Sequence, residues 1–292
     1  MGSQSGFDLP GAALVTAGLA ALVYGIIGVN EHGWLAGRTL GLGALAVVLL
    51  LAFALEEHRT AHPLVAFDIF RNRSVSVGNI LGVLVGGAIV TSMFYFCTLY
   101  LQVVLGMSSQ EAGLSFLPLS FVTILSAGAT APLIARFGVR PVLSVGFALL
   151  SAALIWFSMV DAEGSFVADF LAPSLLAALG LGPLLVGVTV AATADVPVRH
   201  VGLASGLISA AEQVGGAIGL AILSTVASNR TGDAATAADG SPDAFRAALT
   251  EGYAAGFVGA ALIMLAGAVV ALVFLPRRAA STVIAIAVSS AD

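Results

Sequence analysis

One carboxylate, Glu212, lies deep inside an apolar stretch of this 292-residue chain. Ser205 and Ser209 precede it by seven and three positions, a spacing that places all three side chains on one face of an α-helix. An ionisable group at that depth in a membrane-spanning helix is a functional candidate, because burying a charge in lipid is unfavourable. Glu212 could bind a proton or a cationic substrate. It could instead be a protonated or hydrogen-bonded glutamate at a contact between helices.

Three further side chains could line a cavity for a small amphipathic compound. Asn79 and Tyr95 lie in one apolar stretch, and Trp156 lies in another. Aromatic rings stack on flat or cationic ligands, and an amide group can orient them through hydrogen bonds. Tyr100 and Gln102 are explained as well by anchoring a helix end at the membrane surface. We therefore take Asn79, Tyr95 and Trp156 as the cavity-lining candidates.

A short basic connection covers residues 131–141, with Arg136, Gly138 and Arg140 at its centre. A tight turn between two helices needs the backbone freedom of glycine, which Gly138 supplies. Arg136 and Arg140 are expected to hold the turn at the inner membrane surface. These residues alone fit a generic turn between two membrane helices.

Chemistry beyond binding is not indicated by the sequence. It contains no HExxH, GxSxG or Walker pattern. Cys97 is the sole cysteine, so neither an intramolecular disulfide nor a Cys/His metal cluster can form. The chain has no lysine and no basic patch suited to nucleic acid. We predict that it is not an enzyme, has no catalytic residue, and binds no cofactor, metal or nucleic acid.

The elements that must position these residues are apolar helices. The chain is 59% hydrophobic and 9% charged, too apolar for one soluble core. Eight stretches have about the 20 residues that cross a bilayer core of about 30 Å. In lipid every backbone polar group must be paired internally, so these stretches should be helical and the chain an all-α membrane protein. The expected spans are 11–29, 39–55, 77–101, 112–134, 141–160, 166–191, 203–227 and 252–275.

The arginines predict the orientation. Basic residues accumulate in cytoplasmic loops, and with eight spans both termini lie on the same side. If that side is the cytoplasm, eight arginines lie inside and three outside. The outside three are Arg38, Arg230 and Arg246. We expect a multi-pass protein of the inner or plasma membrane with both termini cytoplasmic.

Two connections are longer than tight turns. Residues 56–76 mix apolar and basic side chains, which fits either a short helix in the headgroup layer or a plain loop. Residues 228–250 are rich in Ala, Asp, Gly and Thr and are expected to form a mobile external loop.

Several motifs in family order give the chain a specific resemblance. The loop 131–141 is similar to the short cytoplasmic loop of the major facilitator superfamily, with Ala135 where an aspartate is usual. The stretch 202–219 (GLASGLISAAEQVGGAIG) resembles a helix of its fourteen-helix drug/proton antiporters, and residues 9–12, 62–73 and 100–118 resemble other segments of that branch. Within 202–219, two small-xxx-small pairs, Gly202/Gly206 and Gly215/Gly219, are expected to let helix backbones approach closely.

The resemblance implies a fold, a function and missing parts. It identifies the central helix pair and the C-terminal six helices of a proton-coupled drug exporter, so the N-terminal six helices are expected to be absent. It implies small amphipathic substrates, protons, the lipid bilayer, and a missing N-terminal half or a second copy as partners. Arg136, Gly138 and Arg140 would form its cytoplasmic gate loop. The alternative is a non-transporting remnant or assembly partner. The segments implied are a tail (1–10), two central helices (11–55), a cytoplasmic loop (56–76), a six-helix half (77–275) and a second tail (276–292).

Overall fold

A computed structural model describes residues 9–29, 33, 35–59, 67–194, 196–236 and 241–275. Throughout these ranges the regular elements are helical, and no strand occurs. The predicted all-α class is therefore confirmed. Most of the predicted N-terminal tail, residues 60–66 of the predicted loop, and the whole 276–292 tail lie outside the described residues.

Within the described ranges, eight long helices follow one another. Seven of them, α2 to α8, are long and apolar enough to cross a membrane, which confirms seven of the predicted spans. The eighth, α1, has 19 residues, and its apolar part is shorter than in the other seven. The helices are α1 (Leu9–Ile27), α2 (Gly37–Arg59), α3 (Arg73–Val104), α4 (Ser109–Phe137), α5 (Val139–Phe157), α6 (Phe166–Thr193), α7 (Val198–Thr236) and α8 (Pro242–Phe274).

Two of the predicted connections are shorter in the structure. The expected extent of the loop over 228–250 is wrong, because α7 continues to Thr236 and α8 begins at Pro242. Ser241 caps α8 by accepting a hydrogen bond from the backbone N–H of Ala244 at 3.2 Å. The predicted connection 56–76 is shortened at both ends, and it contains a 3₁₀ helix at Phe67–Arg71.

The chain divides into two compact units, one up to Asn72 and the other from Arg73 onward. In the first unit α1 packs against α2. Gly18 lets the two helices approach, because a methyl group at this position would lie 2.9 Å from a Leu50 methyl carbon. Arg38 donates a hydrogen bond of 2.6 Å to the hydroxyl of Tyr24 and joins the two helices by polar contact.

In the second unit α6 lies between α4 and α5 and packs on both. Glycines set the contact with α5, because a methyl group at Gly180 would lie 2.6 Å from the carbonyl oxygen of Gly146. The contact with α4 is equally close, since a methyl group at Gly182 would overlap Ser126. The Ser126 hydroxyl donates a hydrogen bond of 2.8 Å to the carbonyl oxygen of Ala178.

An aromatic cluster joins α3, α5 and α8 in the core of the same unit. Phe257 stacks on Phe157 with ring centroids 5.2 Å apart and meets Phe96 edge-on at 5.7 Å. All three side chains are buried. Aromatic pairs of this kind add roughly 0.5–1.5 kcal/mol beyond the burial of their area. The cluster therefore fixes how α3, α5 and α8 pack on one another.

Candidate functional site

The closest helix crossing of the second unit lies between α3 and α7. A methyl group on Gly86 would overlap the backbone carbonyl of Glu212, and one on Gly219 would overlap the carbonyl of Gly87. Gly215 packs in the same way on Val83. The predicted close approach at Gly215/Gly219 is therefore confirmed.

The other predicted glycine pair makes no such contact. Within the described part of the chain, no atom lies within 4 Å of a methyl group built on Gly202 or Gly206, local helix backbone aside. Both glycines are exposed on α7. The expectation of close packing at this pair is wrong because both glycines face away from the packed side of α7, which carries the buried Ala204 and Ile208.

The α3 side of the crossing departs from regular α-helix. Residues Gly86–Met93 form a π-helical stretch, and Tyr100–Val104 form another near the end of α3. π-Helical turns widen the backbone and recur at functional sites in helices. The widened stretch begins at Gly86, which is the residue that touches Glu212. The carboxylate thus lies where a non-standard helix segment meets a glycine-rich helix.

Glu212 itself lies at the edge of the packed face of α7. Ile208 and Gly215 on that helix are buried, Glu212 is half-buried, and Ser209 and Gln213 are exposed. Because α7 is one uninterrupted helix from Val198 to Thr236, the Glu212 side chain shares a face with Ser205 and Ser209. Among the described residues none donates a hydrogen bond or forms an ion pair with the Glu212 carboxylate. The group is therefore available to a proton or a cationic ligand.

Tyr95 lines a cavity of about 220 Å³ between the C-terminal parts of α3 and α7 and the N-terminal part of α8. Tyr253 closes the α8 side, and the hydroxyl-bearing residues Ser224, Ser228 and Thr231 line the α7 side. The cavity combines aromatic faces with hydroxyl donors, which is the lining expected for an amphipathic ligand. It lies 12 residues beyond Glu212 along α7, or about 18 Å.

The other two cavity candidates lie elsewhere. The Asn79 amide donates a hydrogen bond of 2.9 Å to the carbonyl oxygen of Val75, one turn earlier in α3. Trp156 is 44% exposed on α5, and it does not line the cavity of Tyr95. The structure therefore does not bring Asn79, Tyr95 and Trp156 together around one space.

The basic turn between α4 and α5 is as tight as the sequence predicts. Gly138 alone separates the two helices, and its φ of 88° and ψ of 160° belong to a region open almost only to glycine. Its N–H donates to the carbonyl oxygen of Ile134 at 2.8 Å. The Arg136 guanidinium lies over the ring of Phe137, 5.2 Å from its centroid. Within the described chain, neither Arg136 nor Arg140 forms an ion pair.

A second cavity was not foreseen from the sequence. It has a volume of about 450 Å³ and lies between the helical extensions of α7 and α8. An ion pair of 3.1 Å joins Arg230 to Glu251 at its wall, and Asp233 lies beside them. Sequence reasoning missed this site because it treated 228–250 as a loop. The cap residues Ser241 and Pro242 were the signal that could have found the start of α8.

Gly86 and Gly87 also escaped the sequence reasoning. Adjacent glycines inside a helix weaken it, and they therefore point to a packing reason. Here the reason is the backbone contact with α7.

In the part of the chain that the structure describes, seven helices are long and apolar enough to cross a membrane, a carboxylate lies at a glycine-packed crossing, and cavities lie among the helices. These observations define an integral membrane protein. The Major Facilitator Superfamily model matches residues 9–220, and the chain belongs to that family. This is a family of membrane transporters, so the chain is a multi-pass membrane protein of a transporter family and not an enzyme. Members of this family bind small-molecule substrates such as antibiotics.

Several curated relatives are antibiotic export or resistance proteins. The chain is 38% identical over 285 residues to the cephamycin export protein of Amycolatopsis lactamdurans, covering 94% of this chain and 54% of that protein. It is 37% identical over 227 residues to the tetracenomycin C resistance and export protein of Streptomyces glaucescens (78% and 42%). It is 34% identical to the puromycin resistance protein of Streptomyces alboniger (93% and 54%). The chain spans about half the length of the curated relatives it matches.

Proposed function

We propose that this chain is the central helix pair and one six-helix half of a proton-coupled secondary transporter that exports drug-like, amphipathic compounds. The observation that carries the proposal is the position of Glu212. Among the described residues, Glu212 is the acidic residue that lies deep inside a membrane-capable helix. The backbone of Glu212 touches the π-helical stretch of α3. A group that gains and loses a proton there would change the packing of α3 on α7 within this half, and alternating access moves such a half against its partner.

The proposed coupling works through charge at the crossing. A charged Glu212 favours arrangements in which water or a cation reaches it, because an unpaired charge in a dry helix contact is unfavourable. A protonated Glu212 tolerates closer packing of α7 on its neighbours. Proton binding would thus bias the α3–α7 contact between two arrangements. Ser205 and Ser209, on the same face, would supply hydroxyls to the proton or to a bound cation.

The proposed substrates follow from the relatives and from the cavity that Tyr95 lines. Relatives named for the export of cephamycin and for resistance to puromycin support an amphipathic organic substrate. Tyr95 and Tyr253 offer aromatic faces, with hydroxyl groups of α7 opposite them. In this proposal Asn79 and Trp156 keep their role as cavity candidates only if a second half completes a space around them. Arg136, Gly138 and Arg140 are the proposed cytoplasmic gate loop.

The proposed partner is a second transporter half, in a longer polypeptide or in a separate one. α4 is the least buried of the six helices from α3 to α8, with large apolar residues such as Phe121 and Ile124 exposed. An N-terminal half is the proposed neighbour of this surface, and a second copy of the chain is the alternative. The alternative function is that of an assembly partner in the membrane, which transports nothing itself.

The transport proposal is tested by expression with a complementing half. The chain is co-expressed in an efflux-deficient bacterium with the part of the cephamycin export protein that it does not match. We expect energy-dependent ethidium efflux that stops when a protonophore collapses the proton gradient. The chain carrying Glu212→Gln should lose efflux, whereas the matched control Glu163→Gln, in the α5–α6 turn, should keep it. Efflux that survives the protonophore would contradict proton coupling, and its absence from all combinations would favour the assembly role.

The proposed orientation can be tested on single-cysteine chains. Cys97 is the sole cysteine and is buried, so a Cys97→Ala background is free of native thiols. We expect Glu163→Cys to react with a membrane-impermeant maleimide from outside the cell, and Ala135→Cys to react only after permeabilisation. The reverse pattern would place the termini outside.

A further inference from the structure

An apolar groove of about 560 Å³ runs between α4 and α5. The α4 wall includes Ala129 and Phe137, the α5 wall includes Pro141 and Val145, and Leu179 of α6 contributes to its floor. Phe137 and Val145 are each 57% exposed, so the groove opens at the side of the bundle. Its surface is almost wholly apolar, which is unsuited to water and suited to a hydrocarbon chain.

The glycine contacts of α6 explain why this groove exists. Gly182 seats α4 on one side of α6, and Gly146 with Gly180 seats α5 on the other. Although one residue joins α4 to α5, α4 packs mainly on α6, α5 packs on α6 and on α8, and the two helices hardly touch each other. The space between them is therefore a fixed consequence of the packing. It does not depend on a flexible segment.

The groove has the depth of one membrane leaflet. It extends along α4 from Ser126, near the middle of the helix, to Phe137 at the turn. Those 11 residues rise about 16 Å. Half of a bilayer core is about 15 Å, so the groove reaches from the membrane surface at the turn to the midplane. A lipid acyl chain has this direction and this depth.

Positive charge lies at the surface end of the groove. The Arg136 guanidinium is stacked on Phe137, which lines the groove, and Arg140 directly precedes the lining residue Pro141. Neither arginine has a carboxylate partner within the described residues. Ala135 also leaves the turn itself without an acid. An arginine without an acid partner is a ready ligand for a phosphate group.

We infer that this groove binds an anionic phospholipid, with one acyl chain between α4 and α5 and the headgroup phosphate at Arg136 and Arg140. The apolar walls fit the acyl chain, and the depth of the groove fits an acyl chain that runs from the membrane surface to the midplane. The two arginines fit the negative charge of the headgroup. The expected preference for an anionic lipid over a zwitterionic one is roughly fivefold per arginine, or roughly 25-fold for the two.

The inference is tested on the full 292-residue chain. Purified protein is titrated with dioleoyl phosphatidylglycerol or dioleoyl phosphatidylcholine, and bound lipid is counted by native mass spectrometry. A phosphatidylglycerol carrying a photoreactive group at the end of one acyl chain then labels the unmutated protein. We expect the roughly 25-fold preference, with labelled peptides from the groove-lining parts of α4 and α5. Because the labelling needs no substitution, it decides the question even if a variant fails to fold.

Two pairs of variants separate the groove from the rest of the surface. Arg136→Gln with Arg140→Gln should bring phosphatidylglycerol binding down to that of phosphatidylcholine. Arg230→Gln with Arg246→Gln removes the same charge from the outer extensions of α7 and α8 and should leave the preference intact.

Two single substitutions by tryptophan then test the groove itself. Ala129→Trp fills the groove and should abolish the bound lipid. Ala131→Trp, on another face of α4 and also exposed, should not.

Several outcomes would overturn the inference. Equal binding of the two lipids, an equal loss with both arginine pairs, or labelling outside α4 and α5 would each do so. Loss of ethidium binding in Ala129→Trp with unchanged phosphatidylglycerol binding would make the groove a substrate site instead. A changed dimer fraction with unchanged lipid binding would assign it to a second copy of the chain.

Discussion

The two glycine pairs of α7 give the sharpest prediction about what holds the site together. Gly219 and Gly206 are glycines of the same helix, and each can be replaced by alanine. The Gly219 position faces the carbonyl of Gly87, whereas no neighbouring atom lies within 4 Å of a methyl group at Gly206 in the described chain. The two substitutions therefore differ in packing and share the same change in helix propensity.

The magnitude follows from two opposing contributions. Replacing glycine by alanine inside a helix stabilises it by about 1 kcal/mol. Overpacking a well-packed contact costs about 1–3 kcal/mol. The upper end applies at Gly219 because the new methyl group would overlap the backbone carbonyl of Gly87, which cannot rotate away. Gly206→Ala should therefore be stabilising by about 1 kcal/mol, and Gly219→Ala destabilising by about 2 kcal/mol.

The buried thiol of Cys97 provides the assay. This residue is 1% exposed and is the sole cysteine, so a thiol-reactive fluorogenic dye reports unfolding during a thermal ramp in detergent. A difference of about 3 kcal/mol corresponds to roughly 6–12 °C between the two variants. Equal shifts in the two variants, or a higher unfolding temperature for Gly219→Ala, would refute the close α3–α7 crossing.

Three further predictions use the same thermal assay. Gly138→Ala should cost about 1–3 kcal/mol, because its φ and ψ lie in a region that alanine rarely adopts; an unchanged unfolding temperature would contradict the one-residue turn. Phe257→Ala should cost about 3–5 kcal/mol by removing the centre of the aromatic cluster, and a loss below 1 kcal/mol would mean that the cluster is not packed. Arg230→Gln should change stability by less than about 1 kcal/mol, since its ion pair with Glu251 is exposed; a larger loss would show that the pair is shielded from water.

The helices could be predicted from the sequence because membrane burial imposes a simple rule. A run of about 20 apolar residues must be helical in lipid, and α2 to α8 follow that rule. The rule ends at the membrane surface, which explains the error over 228–250. There α7 and α8 continue as polar helical extensions, which the apolar rule does not register. Local signals at Ser241 and Pro242 carried the information that composition did not.

The candidate site was predictable in its residue types and less so in its geometry. Glu212 stands out because carboxylates are rare in apolar spans. Its contact with Gly86 depends on how α3 and α7 cross, which no local pattern encodes. The same limit explains the glycine pairs, because Gly202/Gly206 and Gly215/Gly219 share one motif and only the second meets another helix. Tyr95 and Trp156 likewise share a residue class but face different surroundings.

The most direct test of the central claim is a proton measurement on Glu212. The chain and its complementing half are reconstituted in liposomes containing a pH-sensitive dye, and ethidium is added on one side. We expect a substrate-dependent proton flux that is present in the unmodified chain and in Glu163→Gln and absent in Glu212→Gln. A proton flux of equal size in Glu212→Gln would refute the coupling role of Glu212 and place the coupling group elsewhere.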